Sequence, residues 1–221
     1  IRSNRIKRLQ TKQTSSISKH EFRIFAYGDS LTAGVYHFQR QFPYAPYLEK
    51  KLRETAKPGE VFTVQHRGLP GWTTGQMLNV MDDEAKGLLS AIRDIESLSV
   101  VVILSGTNDL GYKEEAETIV DNLLKLHSEC HAAGVPYTIA IAVPPSSYQS
   151  RDSVAAEKAS YVNEKLREHC EKNPKMTFHP FPFPFEASGD NWDSDGLHFS
   201  EKGYILLGES LADPVRSLVD T

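Results

Sequence analysis

The sequence predicts an α/β protein, a three-layer α/β/α sandwich on a five-stranded parallel sheet. Three observations predict it. From Phe22 onward, short apolar runs alternate with longer amphipathic stretches, the pattern of a parallel sheet covered by helices on both faces. Small or polar residues follow the apolar runs, where the chain must turn sharply. The length of 221 residues, 39% of them hydrophobic, suits one substantial core, read here as a single domain over residues 21–221.

The strands are expected at Phe22 to Tyr27, Val61 to His66, Leu98 to Leu104, Tyr137 to Val143 and Met176 to His179. Helices are expected at Pro46 to Thr55, Thr74 to Ile95, Glu114 to Ala133, Ser153 to Glu171 and Glu201 to Val219. The prolines of the Phe181 to Phe185 alternation cannot continue a central strand.

Charge narrows the function classes. Arg2, Arg5, Lys7, Arg8, Lys12 and Lys19 fall in the first twenty residues, which contain no acid. Without those six, 19 Lys and Arg face 29 Asp and Glu, so the body carries about −10. Such a body argues against nucleic acid as a partner, because phosphate binding rests on clustered Lys and Arg. Residues 1–20 read as a flexible basic tail, the rival reading being the remnant of a targeting or anchor segment. No apolar run reaches the roughly twenty residues that span a bilayer. Cys130 and Cys170 lack metal-type spacing and read as idle thiols, with one disulfide as the alternative.

Open parallel sheets bind ligands outside the carboxyl ends of their strands, so chemistry is sought there. Gly28-Asp29-Ser30-Leu31 follows the first strand, Gly68-Leu69-Pro70-Gly71 the second, and Gly106-Thr107-Asn108-Asp109 the third. Asp195-Gly196-Leu197-His198 comes after the fifth. A serine hydroxyl needs an adjacent base held in one tautomer by a third group, and His198 with Asp195 three residues earlier can supply both. Acyl transfer also needs oxyanion donors, and Ser30 N–H, Gly71 N–H and the Asn108 amide are candidates. Taken singly, each segment reads as readily as an ordinary turn or cap.

In this order the four segments resemble the SGNH, or GDSL, hydrolase family, from about Arg23 to Gly203. The resemblance implies a flavodoxin-like SGNH fold and an ester hydrolase working through an acyl-enzyme, with Ser30, Gly71, Asn108 and His198 catalytic and Asp195 completing the triad. It implies a small-molecule ester substrate of small to medium acyl chain, and no metal or organic cofactor. Carboxylesterases, thioesterases, lysophospholipases, carbohydrate acetylesterases and acyltransferases share this chemistry, and a non-catalytic sugar- or lipid-binding relative is the rival class.

The second segment departs from the family pattern, with His66 where many relatives have Asn and Trp72 after the glycine. Gly68 competes with Gly71 there, but Gly71 before Thr73 fits the spacing better. Asp29 and Asp109 are expected to hold their turns by accepting backbone N–H bonds. Trp72, Tyr36 and Phe38 are candidate pocket residues, with the Phe181 to Phe185 run, though core is the commoner fate of such side chains.

Three further signals are weaker. Asn191 to Gly196 resembles the start of a calcium loop, but that loop begins with Asn191 and has Lys202 at its twelfth position. His127 and His131 stand four apart on a helix without a third ligand and read as a solvated surface pair. Gly106 to Asp109 lacks the Lys or repeated Gly of a phosphate cradle.

Overall fold

The computed structural model describes residues 19–37, 40–187 and 189–220. Phe38 and the basic stretch as far as Ser18 lie outside the described residues.

Five strands form one parallel sheet in the order β4-β1-β5-β6-β7. They are β1 (His20–Gly28), β4 (Glu60–Gly68), β5 (Leu98–Leu104), β6 (Tyr137–Ile141) and β7 (Met176–His179). Two short strands, β2 (Val35–Tyr36) and β3 (Arg40–Gln41), make a separate antiparallel ribbon.

The period-two alternation of strand side chains divides the core. On one face Phe25, Tyr27, Val101, Ile103 and Ala140 pack with residues of α3 (Thr74–Asn79), α4 (Leu88–Asp94), α6 (Ala116–Ala132) and α7 (Ser153–Lys172). On the other, Ile24, Ala26, Val100, Val102, Ile139 and Ile141 pack with α2 (Ala45–Glu54), α8 (Glu201–Ser210) and α9 (Ala212–Val219). The result is the expected α/β/α sandwich. No helix among the described residues is long and apolar enough to cross a membrane.

The strands agree with expectation within two residues at each end. β6 stops at Ile141 rather than Val143 because the Asn163 side chain takes over both backbone groups of Val143, at 2.7 and 3.0 Å, ahead of two prolines. Two helices read as continuous are broken. Between α3 and α4 the Asp83 carboxylate accepts the N–H groups of Ala85 and Lys86, a local bond that competes with the helix. Gly87 there lies so close to Met81 that a Cβ would stand 2.2 Å from its carbonyl oxygen. At the C-terminal end, Pro214 lacks the N–H that would bond back to Ser210, and the chain divides at Leu211 into α8 and α9. Two short helices, α1 (Ser30–Ala33) and α5 (Thr107–Gly111), begin two and three residues after the ends of β1 and β5.

The expectation of a solvated His127 and His131 pair is corrected. His127 is buried on the inner face of α6, and neither ring nitrogen has a hydrogen-bond partner. His131 is engaged, with Nδ1 3.0 Å from the Val135 carbonyl and Nε2 3.3 Å from Thr138 Oγ1. The i, i+4 spacing was right, but α6 turns its His127 side inward, packing Leu123, Leu126 and Cys130 there as well. Cys130 and Cys170 are free thiols.

A pH effect follows. Burial, reinforced by His131 and His169, pushes His127 down from 6.5 to about 3, so it stays neutral in the fold while the unfolded chain takes up a proton below about 6.5. Wild-type stability should therefore fall relative to His127→Leu as the pH drops, by about 1.4 kcal/mol per pH unit within that window. Urea unfolding of both proteins at pH 8 and pH 5 checks this. The gap should shift by about 2 kcal/mol in favour of the variant, and an unchanged gap would contradict the assignment.

Candidate active site

The register brings the sequence segments to one rim. Gly28 stands level with Gly68 on one side and Leu104 on the other. Gly28 permits this closeness, since a Cβ there would lie 1.9 Å from the Leu104 carbonyl oxygen.

Ser30 opens α1, where its N–H has no intrahelical acceptor. Asp29 caps that helix, its carboxylate accepting the Leu31 N–H at 2.9 Å. Asp29 is fully buried, and its Oδ2 has no partner. Burial pushes its carboxyl up to about 7, against the opposing pull of the Leu31 N–H and of His198.

His198 Nε2 lies 2.9 Å from Ser30 Oγ, and His198 Nδ1 lies 2.6 Å from Asp195 Oδ2. A carboxylate only accepts, so Nδ1 carries the proton donated to Asp195, and Nε2 is left to accept from Ser30. Asp195 Oδ1 also accepts the N–H groups of Leu197 and His198, at 2.8 and 2.9 Å. Burial works to raise the Asp195 carboxyl, but the His198 ring and these two N–H groups outweigh it and pull it down to about 2. The turn is closed at its base by a bridge between Trp192 and Phe199.

Gly71 has φ +80, and a Cβ at its position would meet nothing within 4 Å, so its backbone faces open space. Gly68 is the opposite case: a Cβ there would lie 2.1 Å from Ala33 N, so it serves the packing of α1 on β4. Asn108 Nδ2 donates to the Trp72 carbonyl at 3.0 Å, which ties the second segment to the third and leaves one amide N–H uncommitted.

Asp109 does more than hold its own turn. Its carboxylate accepts from Thr74 N at 3.1 Å and from Thr74 Oγ1 at 2.5 Å, while Asn122 Nδ2 donates to Thr74 Oγ1 at 3.1 Å. Burial raises the Asp109 carboxyl, opposed by these Thr74 bonds. The network joins α5, α3 and α6 behind Gly71 and Asn108.

A cavity of about 340 Å³ adjoins Asn108, lined by uncharged side chains that include Leu110, Tyr112, Ser146, Tyr148 and Leu197. Neither Trp72 nor Tyr36 lines it. Trp72 packs against the core with Lys86 Nζ 5.4 Å from its ring centre, and Tyr36 packs against the ring of His37. Phe181, Phe183 and Phe185 belong to an aromatic cluster with Trp192 and Phe199. Ser146 and Tyr148 follow β6, a strand whose end carries none of the four sequence segments. A larger depression of about 690 Å³ between α7 and β7 contains none of Ser30, Asn108 and His198.

Among the described residues no group of three or more His, Cys, Asp or Glu side chains could hold a metal ion. In the Asn191 to Gly196 segment, the Asp193 and Asp195 carboxylates are committed to protein N–H groups.

The arrangement is a hydroxyl beside an imidazole whose far nitrogen is held by an ionised carboxylate, with unpaired N–H donors nearby. Such a set can deprotonate the hydroxyl and hold negative charge on an adjacent oxygen.

The fold is shared with solved esterases. A carbohydrate acetylesterase from Sinorhizobium meliloti superposes with a TM-score of 0.68 at 20% identity, over 89% of this chain and 99% of that one. The aryl esterase of M. smegmatis gives 0.67 at 22% identity over the same shares. A psychrotrophic esterase from Pseudoalteromonas sp. gives 0.67 at 19%, over 90% of this chain and 99% of that one. No curated protein matches the sequence significantly. Residues 26–206 match the sequence profile of the GDSL-like Lipase/Acylhydrolase family. With the match running through all four segments, the chain belongs to that family and is an ester hydrolase of the GDSL type.

Proposed function

We propose that the protein cleaves carboxylic esters of small to medium acyl chain in two steps, with Ser30 as nucleophile. His198 Nε2 takes the Ser30 proton as Oγ attacks the carbonyl carbon, and the tetrahedral oxyanion is held by Ser30 N–H, Gly71 N–H and the free amide N–H of Asn108. Collapse breaks the ester C–O bond, and His198 returns the proton to the leaving alcohol. Water, deprotonated by His198, then releases the acid from the acyl-enzyme. Asp195 keeps the imidazole in its productive tautomer and stabilises its charged form.

The observation that carries this reading is the unbroken Asp195–His198–Ser30 relay, at 2.6 and 2.9 Å. The uncharged cavity of about 340 Å³ beside Asn108 is the candidate place for such an acyl group; of the proposed catalytic and oxyanion residues, Asn108 lines it.

Removing one oxyanion donor should be costly. Asn108→Ala is expected to lower kcat by about 10²- to 10³-fold with a much smaller change in KM, because the amide is engaged chiefly as charge develops. The loss of its bond to Trp72 is monitored by the melting temperature of the same variant.

The test of the function is a panel of p-nitrophenyl esters from acetate to palmitate, with and without an alcohol acceptor, and with Ser30→Ala as control. Turnover that peaks at short or medium chains, depends on Ser30 and yields free acid supports the proposal. Activity confined to long chains, or transfer to the alcohol in preference to water, would replace it with a lipase or an acyltransferase.

A further inference from the structure

His198 can serve Ser30 only while the turn that carries it is fixed relative to α1. One anchor of that turn is a backbone bond, from Ser147 N–H to the Gly196 carbonyl at 2.8 Å. The other runs through Asp193, whose side chain is only 5% exposed.

Asp193 ties the turn to itself, with its N–H donating to the His198 carbonyl at 2.9 Å and its carbonyl accepting the Gly196 N–H at 3.0 Å. Its Oδ1 takes the Ser194 N–H at 2.7 Å. Its Oδ2 reaches across the molecule to accept the backbone N–H of His37 at 2.8 Å, and His37 Nδ1 stands 3.3 Å from Oδ1. His37 is four residues beyond the end of the helix that Ser30 begins. It holds φ +44, a left-handed conformation that a non-glycine residue keeps only where its surroundings demand it. That conformation accompanies the presentation of its N–H to Asp193, while its ring packs on Tyr36 with centres 3.9 Å apart.

We infer that Asp193 is a positioning residue: by clasping the His37 N–H it fixes the Asp195–His198 turn against the segment that leaves Ser30, and so sets the His198 to Ser30 distance. This rests on the proposed roles of Ser30 and His198. The carboxylate does not act on substrate. Its effect is on kcat, because a displacement of about 1 Å in a reacting pair can cost 10²-fold in rate while leaving substrate binding intact.

Three variants test the clasp: Asp193→Ala, Asp193→Ser and Asp193→Asn. Serine is too short to reach His37 but retains an oxygen for the local turn, so it removes the clasp alone and decides the matter if the alanine variant does not fold. Asparagine keeps one acceptor oxygen, enough for the His37 N–H or the Ser194 N–H but not for both. The serine and alanine variants should lose about 10- to 100-fold in kcat with KM within about twofold, and their inactivation by a fluorophosphonate should slow in parallel. The asparagine variant should fall between serine and wild type, since its oxygen can hold the clasp only by turning its NH₂ towards the Ser194 N–H. A folded Asp193→Ser with wild-type kcat, or a change confined to KM or melting temperature, would overturn the clasp. Those outcomes are distinct from failure of the underlying reading, in which Ser30→Ala itself would remain active.

Discussion

Ser30→Ala should abolish measurable ester turnover, with kcat falling by about 10⁴- to 10⁶-fold, the range over which triad nucleophiles elsewhere have been lost. Alanine removes only Oγ, and the residue is nearly buried at the start of α1, so the Asp29 cap and the register of β1 should survive. KM should change little, because the ground-state ester needs no bond from the hydroxyl. The variant should melt close to the wild type, and initial rates on a short-chain ester at matched concentrations give the ratio. Turnover within about tenfold of wild type would mean that the attacking group lies elsewhere.

The second large effect belongs to Asp195→Asn, expected to cost about 10⁴-fold in kcat. The reason is specific to this turn. Oδ1 of Asp195 is held by the N–H groups of Leu197 and His198, so an asparagine would keep its oxygen there and turn its NH₂ group towards His198 Nδ1. The imidazole would be driven to the tautomer with its proton on Nε2, facing Ser30, where it cannot act as a base. Asp195→Ala should lose less tautomer control but more of the turn. In the wild type the Asp195 carboxyl is held at about 2, so it stays ionised down to about pH 3. The stability it contributes is present above the ordinary carboxyl value of 3.8 and is lost as the pH falls through about 2. Proton inventory at Asp195 therefore does not shape the pH–rate profile above about pH 4.

Much of the fold was legible in the sequence, and the reason is local. β5 and β7 have the expected bounds because their apolar runs meet turn residues directly at each end. The breaks at Asp83 and Pro214 were legible too, as a carboxylate that bonds its own backbone and an imino acid without a donor, yet hydrophobic periodicity carried both helices across them. His127 shows the opposite limit. Its spacing from His131 gives a shared face, but only the packing of α6 on the sheet decides which face is buried.

The candidate site was legible where its parts stand in short sequence motifs and illegible where they do not. Ser30, Gly71, Asn108, Asp195 and His198 each belong to a short motif with small residues, whereas Asn122 lies within α6 and Asp193 owes its link to a backbone N–H 156 residues away. Trp72, Phe181 and Phe185 are partly buried against the core and Phe183 lies within it, while the cavity beside Asn108 draws on the segment after β6, which carries no motif in the sequence.

The central claim, that Ser30 is the nucleophile of an acyl-transfer site, is tested most directly by covalent trapping. The wild-type protein is treated with a fluorophosphonate probe, digested, and the modified residue located by mass spectrometry, with Ser30→Ala treated in parallel. The expected result is one adduct per chain on Ser30, none on Ser30→Ala, and a markedly slower adduct on Asp195→Asn. An adduct on another residue, or equal labelling of the wild type and Ser30→Ala, would contradict it.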